Sequence, residues 1–248
     1  MKKVYQKEIL EILEKTQFIT VEDLSKKLFI SPSSVRRYLK DAQEKGLLIR
    51  THGGAKIVSA NNLTPSFSFR SKQSISEKKK IAKLAVSLVN EGDVVFLDGS
   101  TSAFFMADYL KDVKNVKVIT NGIDTLSLLS KNEIDAYSTG GKVSNVNRSA
   151  LVGQKAVDIV NAFHADVAFF SAHSVDHNGF VYDCFEEENH LRIAMMKNST
   201  KKVLLCDSTK FNSPSPYKLC ELKDVDYLIC DTDVSKNYQN VKLPKIIF

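Results

Sequence analysis

The sequence predicts an α/β protein in two parts: a small winged helical module, then a larger, mainly parallel α/β domain. Three observations predict it. Short capped helices end in a glycine-centred hairpin before residue 58, a polar, turn-rich stretch follows, and from Ser76 onward apolar strand-like runs alternate with helical stripes. A length of 248 residues suits two domains. The boundaries fall at 1–58 for the module, 59–76 for a linker and 77–248 for the α/β domain.

Within the module, the chain from Met1 to Glu8 leads into a charged amphipathic helix with Ile9, Leu10 and Leu13 inward. Thr20-Val21-Glu22-Asp23 caps a second helix whose Leu24 and Leu28 face inward, and Phe29-Ile30 form the turn to a third. Ser31 is the N-cap of that third helix, and Pro32 at its first position loses only an amide that would lack a partner anyway. Val35, Leu39 and Ala42 recur at i, i+4 and i+7, so Ser33, Ser34, Arg36, Arg37 and Lys40 fall on wet faces. Leu47–Arg50 and Ala55–Val58 flank His52-Gly53-Gly54 as the two strands of a wing.

Helix, turn, helix and wing together make a winged helix-turn-helix, whose third helix needs short side chains near its start and guanidinium groups for phosphates or guanine edges. The expected contacts to duplex DNA are Thr20, Ser31, Ser33, Ser34, Arg36, Arg37, Lys40, Arg50 and His52. Neighbouring helical residues point about 100° apart, so Arg36 and Arg37 divide between backbone and groove floor, and their order is open. Charge follows the same division. Residues 1–58 hold 12 Lys and Arg against 7 Asp and Glu, whereas the other 190 hold 23 against 22. The positive excess sits on the module, which implies binding that weakens with salt.

Beyond the linker, Ile81, Leu84, Ala85, Leu88 and Val89 make a helical stripe, followed by a buried-type strand at Val94–Leu97, a helix over Ser102–Leu110 and a strand at Val116–Thr120. The alternation continues through Ile134–Ser138, a helix near Ala150–Ala162, Val167–Ser171, a helix near Glu187–Lys197, Val203–Cys206 and Tyr227–Cys230. This is a Rossmann-like layout. Ligands collect beyond the carboxyl ends of parallel strands, and there the chain places Asp98-Gly99-Ser100-Thr101-Ser102, Thr120-Asn121, Gly140-Gly141-Lys142 and Asp207 with Lys210. Glycines admit close backbone approach, hydroxyls donate, and a following helix offers its positive end, so a phosphate suits the first loop.

Two halves of one resemblance coincide with these motifs. Ile19 to Ala55, with Val35-Arg36-Arg37, Leu39 and Leu48-Ile49-Arg50-Thr51-His52-Gly53-Gly54-Ala55, resembles the N-terminal domain of the DeoR family of bacterial transcriptional regulators. Tyr38 stands where the family usually has an aspartate, which removes a carboxylate from the recognition helix. Asp98 to Ser102 resembles the Asp-Ser-Gly-Thr-Thr stretch of the family's sensor domain, Thr120-Asn121 its Thr-Asn pair, Gly140-Gly141 its double glycine and Gly153 its later glycine. Glu188 before Arg192-Ile193-Ala194-Met195 resembles a glutamate preceding Lys-Arg-Ala-Met, and Asp207 with Lys210 resembles Asp-x-Ser-Lys. The hydroxyl order in Gly99-Ser100-Thr101-Ser102 differs, and Ser171 stands where glycine is common. The resemblance implies a homo-oligomeric repressor of sugar or nucleoside metabolism genes. Its effector, a phosphorylated sugar or related metabolite, would be held by Asp98, Gly99, Ser100, Thr101, Ser102, Thr120, Asn121, Gly140, Gly141, Lys142, Glu188, Asp207 and Lys210.

An isomerase-like enzyme with an attached DNA-binding domain is the competing reading, since Asp98, Glu188, Asp207 and Lys210 include the needed acids and cation. Ribose-5-phosphate isomerases carry an Asp-Gly-Ala-Asp-Glu type cluster where this chain has Ser171-Ala172-His173-Ser174-Val175-Asp176, so catalysis is not expected. His173, Asp176 and His177 lack a third ligand nearby, which argues for polar loop residues and no metal; no cofactor is expected. Lys78-Lys79-Lys80 reads as a solvated face. Cys184, Cys206, Cys220 and Cys230 lack C-x-x-C spacing and read as reduced thiols, and no apolar run is long enough for a signal peptide or membrane span, so a cytoplasmic protein is expected.

Overall fold

Apolar residues spaced three and four apart in residues 2–57 have only a small core to share, and they close it with helices and one short sheet. The computed structural model describes residues 2–16, 18–44, 47–51, 53–57, 66–211, 215–238 and 241–248. The chain divides into two units, Met1–Arg70 and Ser71–Phe248. The first runs α1 (Lys2–Thr16), β1 (Phe18–Thr20), α2 (Val21–Leu28), α3 (Pro32–Glu44), β2 (Leu48–Thr51), β3 (Gly54–Ile57) and a single turn, α4 (Phe67–Arg70). Val35, Leu39 and Ala42 of α3 meet Ile9, Leu13, Leu24 and Leu48 in one buried cluster. Burying each large aliphatic side chain contributes roughly 1.5–3 kcal/mol, which is what holds α3 at a set angle.

The wing forms as expected, with Leu48↔Ile57 through Thr51↔Gly54 in antiparallel register, but β1 adds a third strand against β3. Gly54 is required there, because a Cβ would lie 2.4 Å from the Ile19 carbonyl oxygen. The stretch 59–76 contains α4 and the start of the next helix.

The second unit runs α5 (Ile75–Val86), β4 (Val94–Leu97), α6 (Thr101–Phe104), α7 (Ala107–Leu110), β5 (Lys117–Thr120), α8 (Ile123–Lys131), β6 (Asp135–Ser138), β7 (Lys142–Val143), β8 (Leu151–Val152), α9 (Gln154–Asn161), β9 (Ala165–Ser171), β10 (Ser174–Val175), β11 (Phe180–Asp183), α10 (Glu186–Lys197), β12 (Ser199–Leu205), β13 (Tyr217–Glu221), β14 (Tyr227–Ile229) and β15 (Lys245–Ile247). A seven-stranded sheet in the order β15-β14-β12-β9-β4-β5-β6 is parallel at every junction. Its two faces are covered by separate apolar clusters, one around Ile81, Leu97, Met106 and Phe169, the other around Phe96, Ala168, Leu191 and Met195. Both faces being buried explains the continuous apolar runs of the central strands.

Three expectations need correction. The helix expected over Ser102–Leu110 is two single turns, α6 and α7. The Met106 N–H reaches back only three residues, to Ala103 O, and the consecutive residues Phe105, Met106 and Ala107 are all buried. The helix expected near Ala150–Ala162 begins at Gln154, because Leu151 and Val152 pair with Val143 and Lys142 and Gly153 turns at φ +93°. Lys78 is not on a solvated face: it is buried, and its Nζ donates to Gln73 O at 2.8 Å. A small antiparallel sheet, β10-β11-β13, was not anticipated; Asp176 shapes its first turn by accepting from the backbone of Asn178 and Phe180.

Candidate functional site

Two sets of residues carry the expected chemistry, one in each unit. On α3, Ser31 Oγ accepts from the Ser34 N–H at 3.3 Å and also meets the Ser33 and Ser34 hydroxyls, so the expected cap is in place. Ser33, Arg36, Arg37 and Lys40 are exposed and Ser34 is half-buried. Thr20 caps α2, its Oγ1 accepting from the Asp23 N–H and donating to Asp23 Oδ2. Arg50 is exposed while its backbone N–H donates to Gln43 Oε1. His52 lies outside the described residues. Tyr38 is turned inward, at 8% exposure, and stacks on Tyr5 with ring centroids 5.7 Å apart. Arg37 lies with its guanidinium carbon 5.3 Å from the Tyr38 ring centre, a contact that restrains the guanidinium at the edge of the exposed face.

In the second unit, parallel topology brings the ends of β4, β5, β6, β9 and β12 to one edge, which gathers the loops the sequence singled out. Gly99 and Gly122 are in close contact: a Cβ on Gly122 would lie 3.2 Å from Gly99 Cα, and one on Gly99 would meet Ala150 and Asn121. Asn121 is fixed by its Nδ2 donating to Leu151 O and its carbonyl accepting from the Leu151 N–H. Ser100 caps α6, and Thr101 and Ser102 follow it, all three buried. Thr120 Oγ1 accepts from the Gly122 N–H. Gly140 and Gly141 are exposed at positive φ, and a side chain on Gly141 would collide with Val152 O at 2.6 Å. Lys142 pairs with Glu187 at 2.8 Å. Asp207 is buried and accepts from the Thr209 backbone and hydroxyl, while Lys210 is half-buried.

The centre of this edge is a residue the sequence reading did not assign. Arg192 of α10 donates from Nε to Asp98 Oδ2 at 2.8 Å, from Nη1 to Asp183 Oδ2 at 3.0 Å and from Nη2 to Glu188 Oε2 at 3.2 Å, all buried. Burial opposes its charge, but Asp183, Asp98 and Glu188 outweigh that and hold its pKa above the ordinary guanidinium value. Asp98 also accepts from the backbone N–H groups of Ser100 and Ser171, and Glu188 Oε1 accepts from Asn147 Nδ2 at 3.0 Å. Three carboxylates therefore surround one guanidinium, and each of their oxygens accepts from a donor within the protein, the Cys184 and Phe185 backbones holding Asp183 Oδ1. The signal available was the Glu188–Arg192 spacing of four on one helix; nothing local pointed to Asp183 or Asn147.

Asn121 Oδ1, Thr125 Oγ1 and Asn189 Nδ2 are buried without a hydrogen-bond partner. Groups of this kind are costly to leave unsatisfied. A cleft of about 710 Å³ between α8 and β6 is lined by Ile123, Leu126, Ile134 and neighbours, and none of the expected effector residues lines it. Among the described residues no helix is long and apolar enough to cross a membrane, and the four cysteines are free thiols.

Residues 6–61 match the DeoR-like helix-turn-helix domain and residues 73–232 the DeoR C terminal sensor domain. The HTH-type transcriptional repressor GlcR of Bacillus subtilis (strain 168) is 34% identical over 233 residues, 92% of this chain and 89% of that protein. GolR of Listeria innocua serovar 6a, an HTH-type transcriptional regulator, is 31% identical, with 96% of each chain covered. The L-fucose operon activator of Escherichia coli (strain K12) is 29% identical over 93% of this chain and 96% of that one. A ribose 5-phosphate isomerase from Plasmodium falciparum aligns in structure at a TM-score of 0.40 and 17% identity, covering 55% of this chain and 52% of its own.

Proposed function

The chain belongs to the DeoR family of transcriptional regulators, and from that premise we propose that it is a sequence-specific repressor of sugar or nucleoside metabolism genes, controlled by a phosphorylated sugar. The observation that carries the DNA half is α3: Val35 and Leu39 lock one face into the core while Ser33, Arg36, Arg37 and Lys40 are left to solvent. A cationic, hydroxylated helix face with a wing beside it suits a major groove.

For the effector half, the support is the arrangement of the sheet edge. Ser100–Ser102 at the start of α6 and Lys210 suit a phosphate, and the Asp98 carboxylate at the same edge holds the Ser100 backbone that leads into them. The unsatisfied Asn121 Oδ1 adds an acceptor. Repression rather than activation rests on the named activity of GlcR, while the fucose operon relative is named an activator. In this reading two or more copies grip repeated half-sites, and the ligand shifts the population competent for the operator only through a difference in its affinity for the two states.

Band-shift titration of a promoter fragment from the chain's own operon, with and without a panel of sugar phosphates, tests the whole reading. Salt-sensitive binding relieved by one phosphorylated sugar is the expected result. Binding indifferent to every sugar phosphate, at concentrations where a thermal-shift assay also sees none, overturns the effector half.

A further inference from the structure

The turn between α2 and α3 holds a side chain that neither the fold nor the core explains. Phe29 adopts φ 52° and ψ 39° and is 93% exposed. Left-handed backbone presses Cβ towards the carbonyl oxygen, so glycine or asparagine is the usual occupant of such a helix end. The other described non-glycine residues at positive φ are Ser74, Asn115 and Glu133, all polar. The conformation of the turn is set by other groups: the Phe29 N–H donates to Ser25 O, the Ile30 N–H donates to the same oxygen at 3.2 Å, and the Ser25 hydroxyl donates to Ile30 O at 2.5 Å. None of these uses the ring. A bulky apolar group kept in strained backbone and in water is the pattern of a residue retained for binding.

Its surroundings name the partner. Residues 24–40 contain Lys26, Lys27, Arg36, Arg37 and Lys40 and no acidic residue, and all five cations are exposed. The ring stands between the last turn of α2, which carries Lys26 and Lys27, and the Ser31 cap that starts α3. Glu22 and Asp23 lie one turn earlier on α2 and Asp41 follows Lys40, but the stretch around the ring carries five cations, which complements a polyanion. We propose that Phe29 is a further DNA-contacting residue, its ring packing on apolar atoms at the groove edge, either deoxyribose carbons or a thymine methyl, beside the bases that α3 faces. This rests on the reading of α3 as the DNA-binding helix and adds an apolar contact to its charged ones.

The test uses the full chain and a duplex selected with it from a random-sequence pool, with binding followed by fluorescence anisotropy at several salt concentrations. Phe29→Gly is expected to melt at or above the wild-type temperature, because it relieves the backbone, yet to bind about tenfold more weakly. Its salt dependence is unchanged, since the ring neutralises no phosphate. Phe29→Leu restores most of the affinity. Uracil in place of thymine weakens the wild type but not Phe29→Gly if the contact is a methyl, and leaves both unchanged if it is deoxyribose; either outcome supports the contact. Phe29→Gly binding within about twofold of wild type, or losing affinity together with melting temperature, overturns the proposal. The Arg36→Ala, Arg37→Ala double variant separates the two failures: if it loses binding while Phe29→Gly does not, the helix reads DNA without the ring, and if it binds like wild type, the reading of α3 falls as well.

Discussion

Arg192 Nε lies 2.8 Å from Asp98 Oδ2, fastening α10 to the residue that follows β4 across 94 positions of sequence. Asp98 in turn accepts from the Ser100 and Ser171 backbones, so one carboxylate sets the geometry of the loop that leads into α6 and of the end of β9. Two of the residues expected at the effector site, Asp98 and Glu188, thus belong to an internal ion cluster, and the Ser100 loop takes its position from it.

Arg192→Met is expected to destabilise the protein by roughly 3–5 kcal/mol at neutral pH, because it strands three buried carboxylates together. In the wild type, the raised Arg192 value contributes stability that is fully present below the ordinary guanidinium range, hence none of the pH dependence between 5 and 9 comes from it. Urea unfolding at pH 7 measures the loss; a variant within about 1 kcal/mol of the wild type contradicts the account.

A buried thiol, Cys230, and a half-buried one, Cys220, give a second pH prediction. Burial, reinforced by Asp224 and Glu221, pushes Cys220 up to about 12, and burial first pushes Cys230 up to about 11. Raised thiol values contribute stability that is present below the ordinary value of 9.0 and is lost as pH climbs towards 11 and 12. Native protein at pH 8 should therefore react slowly with a disulfide reagent at these two positions until urea unfolds it. Rapid labelling of the fully buried Cys230 in the folded protein would contradict the account.

Single replacement of Arg36 or Arg37 by alanine should weaken operator binding by about 1–3 kcal/mol, with the variant that loses a phosphate contact also losing about one unit of salt slope. Both side chains are exposed, so the melting temperature should hold. Anisotropy titrations at several salt concentrations assign which arginine faces the backbone.

Thr101→Ala and Lys210→Ala should keep wild-type operator affinity while losing the response to the sugar phosphate. Thr101 sits in the first turn of α6 and Lys210 ends the short helix after Asp207, both at the carboxyl edge of the sheet. A full ligand response in both variants, read in the same band-shift assay, removes these loops from the site.

What was legible in the sequence were features that depend on near neighbours. Ser31 caps α3 because a hydroxyl before Pro32 is placed for the Ser34 amide, and Val35, Leu39 and Ala42 face inward because 3.6 residues make a turn. The alternation of strand and helix likewise puts Asp98, Thr120 and Asp207 at one sheet edge, since parallel strands joined by crossovers all end on the same side. Tertiary structure alone decided which partners those faces meet. Tyr38 turns in to stack on Tyr5, Lys78 is buried against the Gln73 carbonyl, and Leu151-Val152 leave an expected helix for a hairpin with Lys142-Val143. Arg192 has Glu188 one turn away on α10 but finds Asp98 and Asp183 only once β4, β11 and α10 are assembled. The physical reason is range: helical period and capping act within a few residues, whereas ion clusters and two-residue strands draw their energy from groups that only the completed fold brings together.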